Sequence, residues 1–329
     1  MKRLVFMGSD GIALPTLDEM ERLCAGRVRL VGVFTQPDRA TGRGQRLAAN
    51  AIKTWALARR LPVHQPERLG AESREQLATL APDAVLVMAY GHILRQEWLD
   101  LPPGGVWNLH ASILPALRGA SPIQGAIVGG ARESGVSLMR MVLELDAGPV
   151  LDIERVAVGD FDTAADLEAR LAQACVPLLV RNIEHLFERE AALQPQEAAG
   201  VTFTRRLRKE DGHLDFYAPA AVLARRINGL YPWPGCTFQL GSETIKVGLA
   251  AACDRCAASR EAEPGTVLGL VEGGLRVAAQ SGQVSLLRLQ RPGGRMLDAP
   301  EFLRGWPIAA GIRLPSRPMA ELVGATPFR

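Results

Sequence analysis

The chain has 329 residues, of which 47% are hydrophobic and 22% charged, with a formal net charge of +3. Such a composition excludes a disordered or collagen-like chain, and at roughly 150 residues per domain the length predicts two packed domains. The mildly basic balance permits a nucleic-acid partner without demanding one.

The five cysteines, Cys24, Cys175, Cys236, Cys253 and Cys256, are odd in number and scattered, which does not read as a disulfide framework. The CDRC at 253–256 is a lone C-x-x-C with no second ligand pair for zinc, so reduced loop thiols and no metal are expected. The basic start MKRLVFM is too short in apolar residues for a signal peptide, which needs ~7–15. No apolar run approaches the ~18 residues of a membrane span. A cytoplasmic protein without membrane contact is expected.

In chain order, RLVFM at 3–7 reads as a buried strand, 13–24 as a helix and RLVGVF at 29–34 as a second strand. The turn-rich loop TQPDRATGRGQRL follows, then a helix at 49–60, a short strand in LPVHQ and a helix at 72–80. Strands DAVLVMAY (83–90) and GVWNLH (105–110) come next, with more at 135–142 and 149–156 and a helix at 163–188. Near-continuous apolar strands alternating with helices predict a Rossmann-like, mostly parallel α/β sheet. After about residue 200 the stretches CTFQL, ETIKVGLA, GTVLGL, LRVAA and QVSLLRLQ, separated by turn signals, predict a smaller OB-like antiparallel β-barrel. The expected division is 1–190, a linker at 191–210, a barrel domain at 211–311 and a tail at 312–329.

GSDG at Gly8–Gly11 after the first strand suits a tight turn or a ligand-facing loop, and it is not the G-x-G-x-x-G dinucleotide fingerprint. Of the five histidines, His185 sits among charged neighbours, His213 in a polar turn, and His64 and His92 at strand ends. Only His110 ends a strand with a polar side chain, Asn108, at i−2 and therefore on the same face. The carboxyl edge of an open parallel sheet is where ligands bind. An amide that stabilises an oxyanion beside an imidazole that moves a proton suits acyl transfer through a tetrahedral intermediate. A satisfied structural histidine with a loop-capping asparagine is the competing reading. Asp146, in the loop of LELDAGPV, adds a carboxylate that would hold the ring and favour its proton. No activated serine or cysteine accompanies the trio, so the nucleophile would come from a substrate.

The stretch NLHASILPALRGASPIQ followed by LDAG resembles the 10-formyltetrahydrofolate-dependent formyltransferases. FTQPDRATGRGQRL, LPVHQPERL, VLVMAYGHIL, GLYPWPGCTF and ETIKVGLA extend the likeness to the methionyl-tRNA branch over residues 3–305. The resemblance implies catalytic roles for Asn108, His110 and Asp146, with no metal. It implies a 10-formyltetrahydrofolate pocket bordered by Met88, Ala89, Tyr90, Gly91, Ile93, Ser112, Ile113, Leu114, Pro115 and Leu143. Initiator methionyl-tRNA would be held by Arg39, Arg43 and Arg46, and by Arg206 and Lys209 at the domain junction. Arg205, Arg208, Arg276, Arg288, Arg291 and Arg295 are further cations suited to phosphates. A monomer is expected. The chain departs from the family pattern at Gly8–Ala13, where Ile12 replaces an aromatic near the methionyl side chain, and after residue 311. A sugar-nucleotide N-formyltransferase would share the trio but not QPDRATGRG or this C-terminal half. A noncatalytic RNA binder would have no need of the trio.

Overall fold

The computed structural model describes residues 1–23, 26–41, 46–188, 191–253 and 262–328. Packing divides the chain into two units. The first comprises Met1–Arg118, Ser134–Val156 and Glu168–Val201, and the second Gly119–Glu133, Ala157–Leu167 and Thr202–Arg329.

The first unit is built on a seven-stranded sheet in the order Val150–Ala157, Glu133–Arg140, Val106–His110, Ala84–Met88, Lys2–Gly8, Val28–Phe34, Val63–His64. The last five strands in that order are parallel, whereas Glu133–Arg140 runs antiparallel to Val106–His110. Leu4, Val5 and Phe6 are fully buried in succession, because both faces of a central parallel strand are covered. The chain runs from Lys2–Gly8 outward to Val63–His64, then returns to the other side of Lys2–Gly8 at Ala84–Met88. That reversal leaves a crevice beyond the carboxyl ends of the central strands. The expected helices are present at Leu14–Leu23, Ala51–Ala58, Ala71–Thr79 and Ala164–Asn182. Asn50 caps the second of these, accepting from the Lys53 N–H at 2.9 Å.

The second unit centres on a six-stranded antiparallel sheet, Cys236–Leu240, Glu243–Cys253, Gln283–Gln290, Gly274–Ala278 and Val267–Val271, with Leu297–Asp298 beside Gln283–Gln290. Its core holds Phe216, Leu223, Ile227, Ile245, Val247, Val277 and Leu286, all fully buried. The helix Ala220–Gly229 lies in this unit and escaped the sequence reading, although Ala220, Leu223, Ala224 and Ile227 carry helical spacing and are buried. The helices Pro122–Val128 and Ala299–Gly305 escaped it too; each has proline in its first turn. The ladder between Glu243–Cys253 and Gln283–Gln290 slips at Leu249–Ala250. There the Asn228 amide substitutes for a strand, donating to the Ala250 carbonyl at 3.0 Å and accepting from its N–H at 2.9 Å.

The residues after 311 are part of this packing. The N–H groups of Val267 and Leu314 donate to the carbonyls of Ile312 and Gly265, each at 2.8 Å, so the tail lines the edge strand Val267–Val271. Farther on, Val323–Gly324 pairs with Phe203–Thr204. Arg226, buried in the helix Ala220–Gly229, donates to the carbonyls of Asp211 and Ala320. Burial alone would raise the Asp211 carboxyl, but bonds from Arg205 and the Arg208 N–H, with the charge of Arg205, hold it below its ordinary value.

Cys175 and Cys236 are free and buried, and burial pushes each thiol up to about 12. Cys253 is disulfide-bonded, which corrects the expectation that the thiol at the start of CDRC is reduced. Cys24 and Cys256 lie outside the described residues.

Leu314 is 1% exposed and belongs to the core of the second unit. Leu314→Ala should therefore cost about 2–5 kcal/mol of stability, measurable by chemical denaturation, while replacements at exposed Pro318 should stay within about 0.5 kcal/mol.

Candidate active site

The site grows from the strand Val106–His110. Asn108 stands between Val87 of one neighbour and Met139 of the other, and His110 stands opposite Ser137. Both candidates project on one face at the carboxyl edge of the sheet. His110 is buried, and its Nε2 lies 3.0 Å from the Leu117 carbonyl. A carbonyl only accepts, so Nε2 carries the hydrogen and Nδ1 faces the opposite way. Asp146 Oδ2 lies 3.7 Å from Nδ1, with its side chain 14% exposed. That distance is an ion-pair approach and exceeds hydrogen-bond length. The ring is anchored through Nε2 on the Leu117 carbonyl, and the Asp146 carboxylate faces its other nitrogen at ion-pair distance. The half-buried Asn108 amide has no hydrogen bond among the described residues, which leaves its donors available.

The loop after His110 is fixed by two serines. Ser137 Oγ donates to the Ser112 carbonyl at 2.7 Å and accepts from the Leu114 N–H at 3.0 Å. Ser112 Oγ donates to the Ala116 carbonyl at 2.6 Å. These bonds deliver Leu117, at φ 60°, to its place beside the imidazole. The turn that carries Asp146 is equally constrained. Asp146 itself has φ 47°, a region that aspartate tolerates better than most residues. A Cβ at Gly148 would sit 1.8 Å from the Arg140 carbonyl oxygen, so only glycine fits. Gln196 Nε2 then ties the turn down, donating to the carbonyls of Asp146 and Gly148 at 2.7 Å each, while Arg118 donates to Gln196 Oε1. Leu117, Ser137 and Gln196 were missed in the sequence. Their function is carried by backbone carbonyls and distant pairings that no local motif encodes.

The other site candidates divide by exposure. Met88 and Tyr90 are buried in the core, and burial raises the Tyr90 hydroxyl well above its ordinary value. The backbone of that segment is tied to the neighbouring loop: the Tyr90 carbonyl accepts from Gln36 Nε2 at 3.1 Å. Ala89, Gly91, Ile93 and Leu143 are exposed, Ile113 and Pro115 half-buried, and Ser112 and Leu114 buried. Ile93 is 85% exposed and Leu143 62%, apolar surface of the kind a flat ligand covers. Ile12 is buried behind Asp10, whose carboxylate caps its N–H at 3.0 Å.

The loop at 35–50 springs from a polar network. Lys53 Nζ meets Asp38 at 2.7 Å, Gln65 donates to the Asp38 carboxylate and the Gln36 carbonyl, and Ser9 Oγ accepts from the Gln36 N–H. Bonds from Gln65 and Lys53 hold the Asp38 carboxyl below its ordinary value. Arg39 and Arg46 are exposed on the paired strands Arg39–Thr41 and Arg46–Ala48, and Arg43 lies outside the described residues. Arg206 and Lys209 are exposed. Four of the broader set of cations have carboxylate neighbours. Arg205 forks onto Asp211, Arg276 is buried against Glu272, Arg295 pairs with Glu301, and Arg288 lies 3.6 Å from Asp298. No group of acidic, histidine or cysteine side chains able to hold a metal occurs among the described residues.

Residues 1–183 match the family described as formyl transferase, and residues 206–307 match the formyl transferase C-terminal domain. A methionyl-tRNA formyltransferase of Halorhodospira halophila is 42% identical over 94% of this chain and 98% of its own length. Among solved structures, an N-formyltransferase of Helicobacter canadensis in complex with folinic acid and dTDP-3-aminofucose superposes with TM-score 0.65 at 15% identity, covering 88% of this chain and all of that one. A methionyl-tRNA formyltransferase from Clostridium thermocellum gives TM-score 0.54 at 12% identity, over 78% and 96% of the two chains. At such identities these two structures establish the fold.

Two histidines near these loops carry a pH signature. His64 stacks on Phe34 at 4.7 Å, and burial lowers it, opposed by a bond to Gln76. Burial also lowers His92, opposed by the Pro66 backbone and assisted by the charge of Arg39. The unfolded chain then binds protons before the folded one as pH falls, so stability declines below about pH 6.5. Thermal unfolding followed from about pH 8 to pH 5 should show this decline, and His64→Gln should flatten it.

Proposed function

This chain belongs to the formyl transferase family, and from that premise we propose that Asn108, His110 and Asp146 perform its chemistry. The enzyme transfers a formyl group to the α-amino group of methionine on initiator methionyl-tRNA, a step that supports translation initiation. No helix among the described residues is long and apolar enough to cross a membrane. We place the enzyme in the cytoplasm as a monomer, with 10-formyltetrahydrofolate as donor.

The observation that carries the catalytic reading is the pairing of an unengaged Asn108 amide with His110, whose Nδ1 faces Asp146 at 3.7 Å. Exposed Ile93 and Leu143 and the backbone of Ala89–Gly91 fit the donor's aromatic rings, which supply a formyl carbon activated by its ring-bearing nitrogen. Formyl transfer to an amine passes through a tetrahedral adduct whose oxygen gains negative charge. Asn108 donates to that oxygen. His110, anchored through Nε2 on Leu117, donates from Nδ1, and a ring donating from both nitrogens is the imidazolium. Asp146 supplies its counter-charge and stands ready for the proton that the amine sheds; as the oxyanion collapses, the bond from the formyl carbon to the donor nitrogen breaks and that proton passes to the leaving nitrogen. The amine must be neutral to attack, a small demand because an α-amino group has a pKa of ~8. Each oxyanion donor is worth ~3–4 kcal/mol, or roughly 100- to 1000-fold in rate.

Acceptor contacts are assigned to Arg39, Arg43 and Arg46, and to Arg206 and Lys209. The sugar-nucleotide reading is less well supported, because relatives about 42% identical over nearly the whole chain are methionyl-tRNA enzymes.

Supplied with 10-formyltetrahydrofolate, the purified protein should formylate methionyl initiator tRNA and not a nucleotide-linked amino sugar. Transfer to the sugar alone would overturn the acceptor assignment. His110→Ala and Asn108→Ala should each lower kcat roughly 100- to 1000-fold with little change in tRNA affinity. Gly148→Ala should displace the Asp146 turn and reduce kcat about 100-fold without touching any reacting group.

A further inference from the structure

The loop Tyr231–Gly235 of the second unit presents an indole to solvent. Trp233 is 56% exposed, whereas Leu230 and Cys236 on either side of the loop are fully buried. The loop is thus pinned at both ends and holds the ring on a fixed support. Lys246 reinforces it: Nζ donates to the Pro232 carbonyl at 2.7 Å and lies 5.8 Å from the centroid of the Tyr231 ring. Gly235 makes this possible, since it has φ 75° and a Cβ there would come within 2.2 Å of the lysine Cε. The lysine stem therefore crosses bare backbone.

The same face continues along the edge strand. Lys246 stands opposite Thr237, and Gln239, two residues on, stands opposite Thr244. Thr237 and Gln239 line a small cleft with His213 and Arg317. Lys246 and Arg317 have no carboxylate partner among the described residues. The loop that carries the indole, a lysine, hydroxyl and amide side chains and an arginine therefore adjoin one another in turn. A protein partner would call for a continuous apolar patch around the indole. Here the loop that carries the ring is adjoined by Lys246 and, along the edge strand, by neutral hydrogen-bonding groups, which complement a flat base joined to a charged backbone.

We propose that Trp233 stacks on an unpaired nucleotide of the acceptor tRNA while Lys246 and Arg317 neutralise the adjoining phosphates. The assignment rests on methionyl-tRNA being the acceptor, and it adds a contact outside the loop arginines and the Arg206–Lys209 segment.

The test compares tRNA binding and steady-state formylation for the full-length enzyme and its variants. Trp233→Ala should raise the Kd and KM for methionyl-tRNA about tenfold, with kcat and the KM for 10-formyltetrahydrofolate unchanged. Trp233→Phe should restore most of the affinity and Trp233→Leu should not, which separates stacking from filling of space. Lys246→Met should reduce the slope of log affinity against log salt by about one. Unchanged tRNA affinity in Trp233→Ala, or equal rescue by leucine and phenylalanine, would overturn the proposal and leave the indole to a protein contact. Failure of the unaltered enzyme to formylate methionyl-tRNA would instead refute the acceptor itself, so the two failures are distinct.

Discussion

The register between three neighbouring strands fixes the chemistry of the first unit. Asn108 lies level with Val87 and Met139, and His110 with Ser137, so the two polar side chains emerge together at the carboxyl edge. Ser137, set by the same register, then ties the following loop through Ser112 and Leu114. A slip of one residue would turn both catalytic candidates to the other face and detach the loop that supplies the Leu117 carbonyl. The imidazole orientation is thus a consequence of sheet pairing, transmitted through the hydroxyls of Ser137 and Ser112.

The second unit depends on polar groups that are buried with their partners. Asp211 receives a forked arginine and a backbone N–H, and Arg226 is spent on two carbonyls. Such groups are costly when left alone and are satisfied in one arrangement only. They specify where the segment after residue 203 and the tail near Ala320 lie, with geometry rather than bulk hydrophobicity deciding the position. Arg205 illustrates the consequence for function: a cation that sequence alone offers to phosphate is already committed to a carboxylate.

Much of this was legible in the sequence. Apolar runs such as DAVLVMAY and alternating ones such as ETIKVGLA each announced a strand, because burial on two faces or one leaves a distinct period. Asn108 and His110 could be placed on one face by counting. Asp146 could be named but not positioned, since its 3.7 Å approach to Nδ1 depends on Gly148 against Arg140 and on Gln196, about fifty residues away. The helix Ala220–Gly229 is legible too in the spacing of its buried residues, although strand signals flank it. Which arginines are free was not legible, because pairing is settled by tertiary neighbours such as Glu272 and Asp211. The commitment of the tail was hidden as well: an irregular Pro-containing stretch carries no period, and its bonds are to backbone.

The tail beside the strand Val267–Val271 also defines a unit of local opening. The amides of Val267, Gly311 and Leu314 are all bonded across that one seam. Peeling the tail from the strand exposes all three to solvent together. The same event bares a row of unpaired strand groups, a template on which another chain can add. The free energy of peeling back a few residues therefore governs how often this protein becomes competent to associate with itself, independently of how stably the rest of it is folded.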